Sequence, residues 1–489
     1  MPKFYVTTSI PYVNAAPHLG HALEFLQADV LARYHRAVGD EVIFATGSDE
    51  HGSKVMEKAA ENSVTPKQYA DSIVALFKDL QKVLHISNDR FVRTTDEAHE
   101  KAAQKIWTQL AEYIYKHKYS GLYCSGCEAF VTKSEADANG GKCPHHNKPY
   151  QQIEEENYFF KLSSFTDNIK KAIESDEYKI VPVSRKNEII SLLNSGLEDI
   201  SISRPKSKIP WGVAVPDDPD QTMYVWFEAL INYVSVLGYE SEEFKKFWPA
   251  DVHIIGKDII RFHAVIWPAM LLALKLPLPK KLLVHGFVTL DNQKMSKSLG
   301  NVVSPSDVIS AYGSDAFRYY FLRHIPTLDD GDFSWEKFET AYNNELGNDL
   351  GNLVQRTAHM INQYQNGVIG DMPGPEHDIG PYEEAINNMQ FDKALEYIWN
   401  LIRGLNQYLE EEKPWKAAKK QSESTHIQQV LAYVVSSLLQ VAGLLNPFLP
   451  QTSATIITIF KDGIVKKYDG VLFPKIVKHT KDSGQKSAV

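Results

Sequence analysis

Residues 4–52 read FYVTTSIPYVNAAPHLGHALEFLQADVLARYHRAVGDEVIFATGSDEHG, and their order decides the fold. Phe4 to Ile10 alternates β-branched and aromatic residues as far as Pro11, the pattern of a strand running into a loop. Pro17 precedes a helical pattern from His18 to about Val38, closed by Gly39. Glu41 to Ala45 is a second apolar strand, and it leads into the loop GSDEHG. Strand, loop, helix, strand opens a parallel α/β domain. The ligand site of such a domain lies in the loops at the carboxyl ends of its strands.

Downstream, Lys67 to Lys118 reads as two or more helices. From Tyr119 to about Tyr150 the chain turns short-ranged and Gly-rich, the mark of a small inserted unit, and polar helical sequence follows to about Leu197. The loop-rich SISRPKSKIPWGVAVPDDPD returns it to the main domain, where strand–helix patterning resumes at Thr222. VHIIGKDIIRFH (252–263) is a buried strand, a glycine turn and a helix start. Lys281 to Gly286 is a further apolar run, followed by LDNQKMSKSLGN. From Phe338 to about Phe460 strand signals nearly vanish and amphipathic helices take over.

A chain of 489 residues with 43% hydrophobic and 23% charged content holds several real cores and excludes wholesale disorder. Its net charge of −9 argues against a generic polyanion binder. From Leu401 to Val489, twelve Lys/Arg against seven Asp/Glu give a local +5, so nucleic-acid contact is expected in the C-terminal part. The N-terminus lacks the basic and apolar regions of a signal peptide. The apolar stretch Leu431–Pro450 carries Ser436, Ser437, Gln440 and Asn446, which suits a buried helix better than a membrane span. We therefore expect a cytoplasmic protein.

Three short patterns carry chemistry. His18-Leu19-Gly20-His21 stands at a helix start, where the dipole favours phosphate and Gly20 leaves room for a flat base. Lys294-Met295-Ser296-Lys297-Ser298 places two lysines in a hydroxyl-rich loop suited to the charge on a leaving pyrophosphate. The three cysteines fall within twenty residues, as Cys124-x-x-Cys127 and then Cys143-Pro-His-His146. That spacing suits one tetrahedral, structural Zn²⁺ held by Cys124, Cys127, Cys143 and His146, with His145 the alternative fourth ligand.

HLGH and KMSKS resemble the two signatures of class I aminoacyl-tRNA synthetases. SIPYVNAAPHLGH, GSDEHG, DISISR, MYVWFEALINY, IIGKDIIRFH, HGFVTLDNQKMSKS, NELGNDLGNLVQR and EKPWKAA narrow the resemblance to the methionyl-tRNA synthetase family. They run in the family's order from Ser9 to Ala418. The resemblance implies a methionine pocket of Ser9, Ile10, Tyr12, Asp49, Trp226, Ala229, Leu230, Tyr233, Ile259 and His263. Asp49 suits the amino acid's ammonium, Trp226, Tyr233 and Ile259 make an apolar slot for a thioether, and His263 or Tyr12 offers the sulfur a weak polar contact. The family often has alanine-leucine at Ser9-Ile10 and proline at Leu230, so the pocket differs in detail.

The implied chemistry is methionine activation by ATP, then transfer to the terminal adenosine of tRNA(Met), the initiator included. His18, His21, Lys294 and Lys297 would serve the phosphates, with Arg204 a further contact. Gly20, Gly256 and Asp258 would lie around the nucleoside, and Mg²⁺ would arrive with ATP. Asn348, Asn352 and Arg356 recur every four residues on one helix face. The family's anticodon readers correspond to Asn352, Arg356 and Trp415, residue types suited to base edges and stacking.

The expected fold is α/β: a Rossmann-like parallel-sheet catalytic domain with a zinc-bearing connective insert, followed by an all-α anticodon-binding bundle. Its boundaries are 1–115 for the first catalytic half, 116–220 for the insert with its zinc knuckle and 221–290 for the second half. The KMSKS loop and junction take 291–337, the helical domain 338–480 and a tail 481–489. With no strand-rich module after the helices, a monomer is expected. A different nucleotidylyltransferase would share HxGH but not the zinc insert or the anticodon-type stripe, and a non-catalytic zinc module would leave HLGH, KMSKS and Asp49 unexplained.

Overall fold

The computed structural model describes residues 1–124, 129–131, 133–144, 147–291, 293, 303–374, 377–418, 424–465, 468 and 470–475. The chain forms two units. The first comprises 1–17, 35–82 and 86–285; the second comprises 18–34, 83–85 and 286–489.

The first unit is built on a six-stranded sheet: β1 (Lys3–Thr8), β2 (Glu41–Ser48), β3 (Arg90–Arg93), β4 (Lys179–Val181), β5 (Val252–Gly256) and β6 (Lys281–His285). The spatial order is β3-β2-β1-β5-β6-β4, and every pairing is parallel. β1 and β5 are buried along nearly their whole length, which is why they read as continuous apolar runs rather than alternating ones. Winding reverses between β1 and β5, so a crevice opens outside their carboxyl ends. Gly47 permits close approach of the neighbouring chain: a Cβ there would stand 2.2 Å from the Val92 carbonyl oxygen and 2.9 Å from Cγ2 of Ile10.

The insert is more β-rich than its sequence suggests. Strands Ile114–Cys124 and Gln151–Phe160 form a long antiparallel pair, with Ile114 opposite Phe160 and Tyr123 opposite Gln151. Ala129–Val131 and Ile200–Ser201 complete its sheet. Two helical expectations are thereby corrected. Lys67–Lys118 is interrupted by β3 and ends in a strand, and the polar stretch up to Leu197 contains Gln151–Phe160 and β4. RFVR and QQIEEENYFF carry little β-pattern of their own; pairing with their neighbours decides them.

In the second unit the helices Asn352–Gln365, Phe391–Glu412, Ser424–Leu445 and Pro450–Phe460 pack into a bundle. Ser424–Leu445 is long and apolar enough to cross a membrane by composition. Here it packs against Phe391–Glu412 and Pro450–Phe460, with Val434, Leu438, Val441 and Leu445 fully buried, as the embedded serines suggested. The helix Leu19–Ala37, most of which belongs to this unit, is anchored by a buried ion pair. Arg318 meets Asp29 at 2.8 Å and donates to the carbonyls of Phe448, Pro447 and Leu84.

Candidate functional site

At the carboxyl end of β1 the backbone continues in extended form. Ser9 N–H donates to the Ile254 carbonyl at 2.9 Å. Asp49 N–H donates to Pro11 at 2.9 Å, and Val13 N–H donates to Asp49 at 3.0 Å, pairing Tyr12 with Asp49 across the crevice mouth. Ser9, Ile10, Tyr12 and Asp49 are thus placed together by main-chain bonds. Asp49 is only 2% exposed, so its carboxylate sits where a charge-assisted bond to an ammonium is strong.

The opposite wall comes from two short helices, Val225–Ala229 and Asn232–Ser235, and from the turn after β5. Ala229, Leu230, Tyr233 and His263 are buried, and Trp226 and Ile259 are half-buried. Trp226 stacks on Phe262, with centroids 4.1 Å apart and planes 12° from parallel. His263 lies on a π-helical turn, Phe262–Ile266, a local widening frequent at functional sites. Its Nδ1 faces the Ile259 carbonyl at 3.0 Å and its Nε2 faces the Tyr233 hydroxyl at 2.7 Å. A carbonyl only accepts, so Nδ1 carries the proton, and in the neutral ring Nε2 accepts from Tyr233. Both ring nitrogens are therefore engaged inside the wall. The ring thereby orients the Tyr233 hydroxyl.

Behind Tyr233 sits His253, ring to ring at 4.1 Å. Burial, reinforced by neighbouring His263, lowers its pKa well below the usual histidine value. It remains neutral between the Thr7 hydroxyl, 2.7 Å from Nδ1, and the Trp267 indole N–H, 3.3 Å from Nε2. The slot thus has an uncharged aromatic floor and one carboxylate at its mouth.

Gly256 ends β5, and a Cβ there would approach Asp258 Oδ1 to 2.8 Å, so glycine lets the exposed Asp258 fold over the strand end. Arg204, expected at the phosphates, is 5% exposed and paired with Glu155 at 3.2 Å, its guanidinium over the rings of Tyr123 and Tyr224. In this structure it braces the strand Gln151–Phe160.

In the second unit the HLGH segment forms an imidazole version of a capping box. His18 Nδ1 accepts from Gly20 N–H at 3.1 Å and His21 N–H at 3.4 Å, and His21 Nδ1 accepts from His18 N–H at 3.3 Å. The rings stack with centroids 3.7 Å apart. Since both Nδ1 atoms accept, both neutral rings carry their proton on Nε2, a donor suited to a phosphate oxygen. A Cβ at position 20 would come within 3.0 Å of the His18 ring, which gives the glycine of HxGH a local reason.

Lys294 and Lys297 lie outside the described residues, as do Cys127, His145 and His146. Cys124 and Cys143 are described: both are buried, without a disulfide between them, one at a strand end and one in a turn closed by Cys143 N–H to Lys148 and Asn147 N–H to Cys143. Among the described residues no group of three or more metal-ligating side chains is assembled.

On the bundle, Asn348, Asn352, Gln355, Arg356 and His359 line one side of an open depression, with Asn406 and Tyr468 on the other. Arg356 pairs with Glu410 at 2.7 Å and lies 5.7 Å over the Trp415 ring. The expected trio is thus brought together. Gln355 and His359 extend the same helical stripe and could have been read from it; Asn406 and Tyr468 come from distant segments with no local signal.

Sequence reading also missed a buried cluster behind the slot. Glu228, fully buried, meets His51 Nδ1 at 2.9 Å and His99 Nε2 at 2.8 Å. Burial alone would lower the His51 pKa, but Glu228, Glu100 and Glu50 outweigh it and hold it above the usual value. Glu228 itself is held below the usual carboxylate range, because His51 and His99 overcome its burial.

A family model described as tRNA synthetases class I (M) matches residues 4–358, and one described as the anticodon-binding domain of tRNA ligase matches 378–478. The chain is 42% identical to the methionine–tRNA ligase of Caldanaerobacter subterraneus, over 97% of this chain and 79% of that protein. It is 41% identical to that of Bacillus subtilis, over 92% and 71%. Its structure is similar to that of Mycobacterium tuberculosis methionyl-tRNA synthetase in complex with methionyl-adenylate, with a TM-score of 0.88, 38% identity and 94% of each chain covered. The apo form of that enzyme gives a TM-score of 0.84 at 33% identity, covering 98% of this chain and 99% of that one. With the parallel sheet, its crevice and the helical bundle already in place, the chain belongs to the class I methionyl-tRNA synthetases.

Proposed function

We propose that this chain activates methionine with ATP and transfers it to tRNA(Met), the initiator included, with the labour divided as follows. Asp49 holds the substrate ammonium, while Ser9, Ile10, Tyr12, Trp226, Ala229, Leu230, Tyr233, Ile259 and His263 enclose the thioether. The observation that carries the reading is the pairing of one buried carboxylate with an uncharged aromatic slot at the carboxyl ends of β1 and β5. A zwitterion with an apolar side chain has that charge pattern.

The methionine carboxylate attacks the α-phosphate in line and pyrophosphate leaves; the terminal adenosine hydroxyl of tRNA then takes the methionyl group. Neither step needs a protein nucleophile, since positioning and charge stabilisation suffice. His18 and His21 donate from Nε2 to phosphate oxygens, and Lys294 and Lys297 stabilise the departing charge. Gly20, Gly256 and Asp258 accommodate the nucleoside. Arg204 joins the phosphate contacts only by leaving Glu155. Mg²⁺ enters with ATP.

Asn352 and Arg356 read anticodon base edges and Trp415 stacks on a base. One Zn²⁺ held by Cys124, Cys127, Cys143 and His146 would staple the insert; the two described thiols, buried and without a disulfide between them, fit that role. An odd, clustered set of three cysteines, read as metal ligands rather than a disulfide scaffold, suits a reducing compartment such as the cytoplasm.

ATP–pyrophosphate exchange against the twenty amino acids, without tRNA, tests the reading. Exchange dependent on methionine alone is expected. Exchange driven by another amino acid would refute the slot assignment.

A further inference from the structure

We propose that Glu228 is a positioning residue: clamped between His51 and His99, its carboxylate sets the distance between the Asp49 loop and the helical wall of the methionine slot, and thereby the affinity for methionine. The inference rests on the methionine reading of that slot.

The geometry is specific. Each oxygen of one fully buried carboxylate takes its own imidazole: Oε1 takes His51 Nδ1 and Oε2 takes His99 Nε2. A carboxylate only accepts, so both contacting nitrogens carry protons. His99 Nδ1 then faces the Ser235 hydroxyl at 2.9 Å, and His51 Nε2 faces Glu100 at 3.9 Å. Four segments meet at this point: the loop after β2 through His51, the helix Glu97–Gln109 through His99, Val225–Ala229 through Glu228, and Asn232–Ser235 through Ser235.

Two of these segments are the opposing walls of the slot. His51 stands two residues after Asp49, and Glu228 stands between Trp226 and Ala229. Val225–Ala229 has five residues, too few for its internal hydrogen bonds to fix it, so an anchor outside the helix sets its place. His51 is further held edge-on to Trp211, whose indole N–H donates to the Glu50 carbonyl. Slackening the clamp would move Asp49 and Trp226 relative to one another. Gly256, which ends β5, and Asp258 just beyond it are not among the four segments.

The test uses the full chain, with Glu228→Gln and His51→Gln assayed by methionine-dependent pyrophosphate exchange and each substrate varied in turn. We expect KM for methionine to rise at least tenfold in both variants. The kcat and the KM for ATP should stay within about twofold, and Glu228→Asp should recover part of the methionine affinity. A methionine KM within twofold of the parent, or a loss shared equally by kcat and both KM values, overturns the proposal. If Glu228→Gln and His51→Gln do not fold, Ser235→Ala, which removes only the hydroxyl behind His99, decides the question: a threefold rise confined to the methionine KM supports the clamp, and no rise refutes it. A parent protein without methionine-dependent exchange would instead reject the functional reading, a separate outcome.

Discussion

The proposed methionine slot and the proposed anticodon depression would recognise their ligands by opposite means. In the slot, Asp49, Tyr233 and His263 are buried, and Tyr233 and His263 are fixed by short hydrogen bonds within the wall. In the depression, Asn352 is exposed and Arg356 is shared among exposed Glu410, Asn406 and the Trp415 ring. A small amino acid offers few atoms, so its discrimination needs a preorganised, low-dielectric enclosure, where each polar contact counts fully. Unstacked bases offer flat faces and long edges, and an open, adjustable polar surface is enough for them.

If that contrast holds, changes in the slot alter activation and changes in the depression alter charging alone. The largest effect is expected for Asp49→Asn. Losing one partner of a buried charge-assisted contact costs about 2–5 kcal/mol, so methionine-dependent exchange should fall by at least roughly 30-fold while the protein stays folded. A mild effect would mean that the ammonium is held elsewhere. Trp415→Ala comes next: loss of a stacked base, ~1–3 kcal/mol, should cut tRNA charging about tenfold or more at unchanged pyrophosphate exchange. Equal loss in both assays would erase the division between the two regions.

Tyr233→Phe sharpens the comparison from the slot side. It removes the hydroxyl on His263 Nε2, a hydrogen bond of roughly 1 kcal/mol, so the methionine KM should rise about fivefold with charging reduced only in proportion. The smallest change belongs to the depression. Glu410→Gln breaks an exposed pair with Arg356, and such pairs contribute about 0–1 kcal/mol. Charging should shift by less than about fivefold, and that shift should shrink as salt is raised. A tenfold change there would show the depression to be as preorganised as the slot.

Residues 4–52 announced the parallel sheet because β1 and β2 are buried on both faces and read as apolar runs whatever surrounds them. HLGH was equally legible, since its capping box closes within four residues. β3 and the strand Gln151–Phe160 were not, because their conformation comes from pairing with segments far along the chain. The site divides in the same way. Asp49, Trp226 and Tyr233 stood out through motif context, whereas Glu228, His51 and His99 lie in three separate stretches and mean nothing until folding joins them.

Local patterning and short motifs encode the parallel α/β start, the helical C-terminal bundle and the capped HxGH turn, whereas the slot residues were named only through the family resemblance. Only tertiary structure decided that Arg204 braces Glu155, that both nitrogens of His263 are engaged within the wall, and that one buried carboxylate joins the two sides of the slot. The reason is physical. A buried polar group must find its partner, and which partner it finds depends on which distant segments the sheet and helices bring within about 3 Å of it.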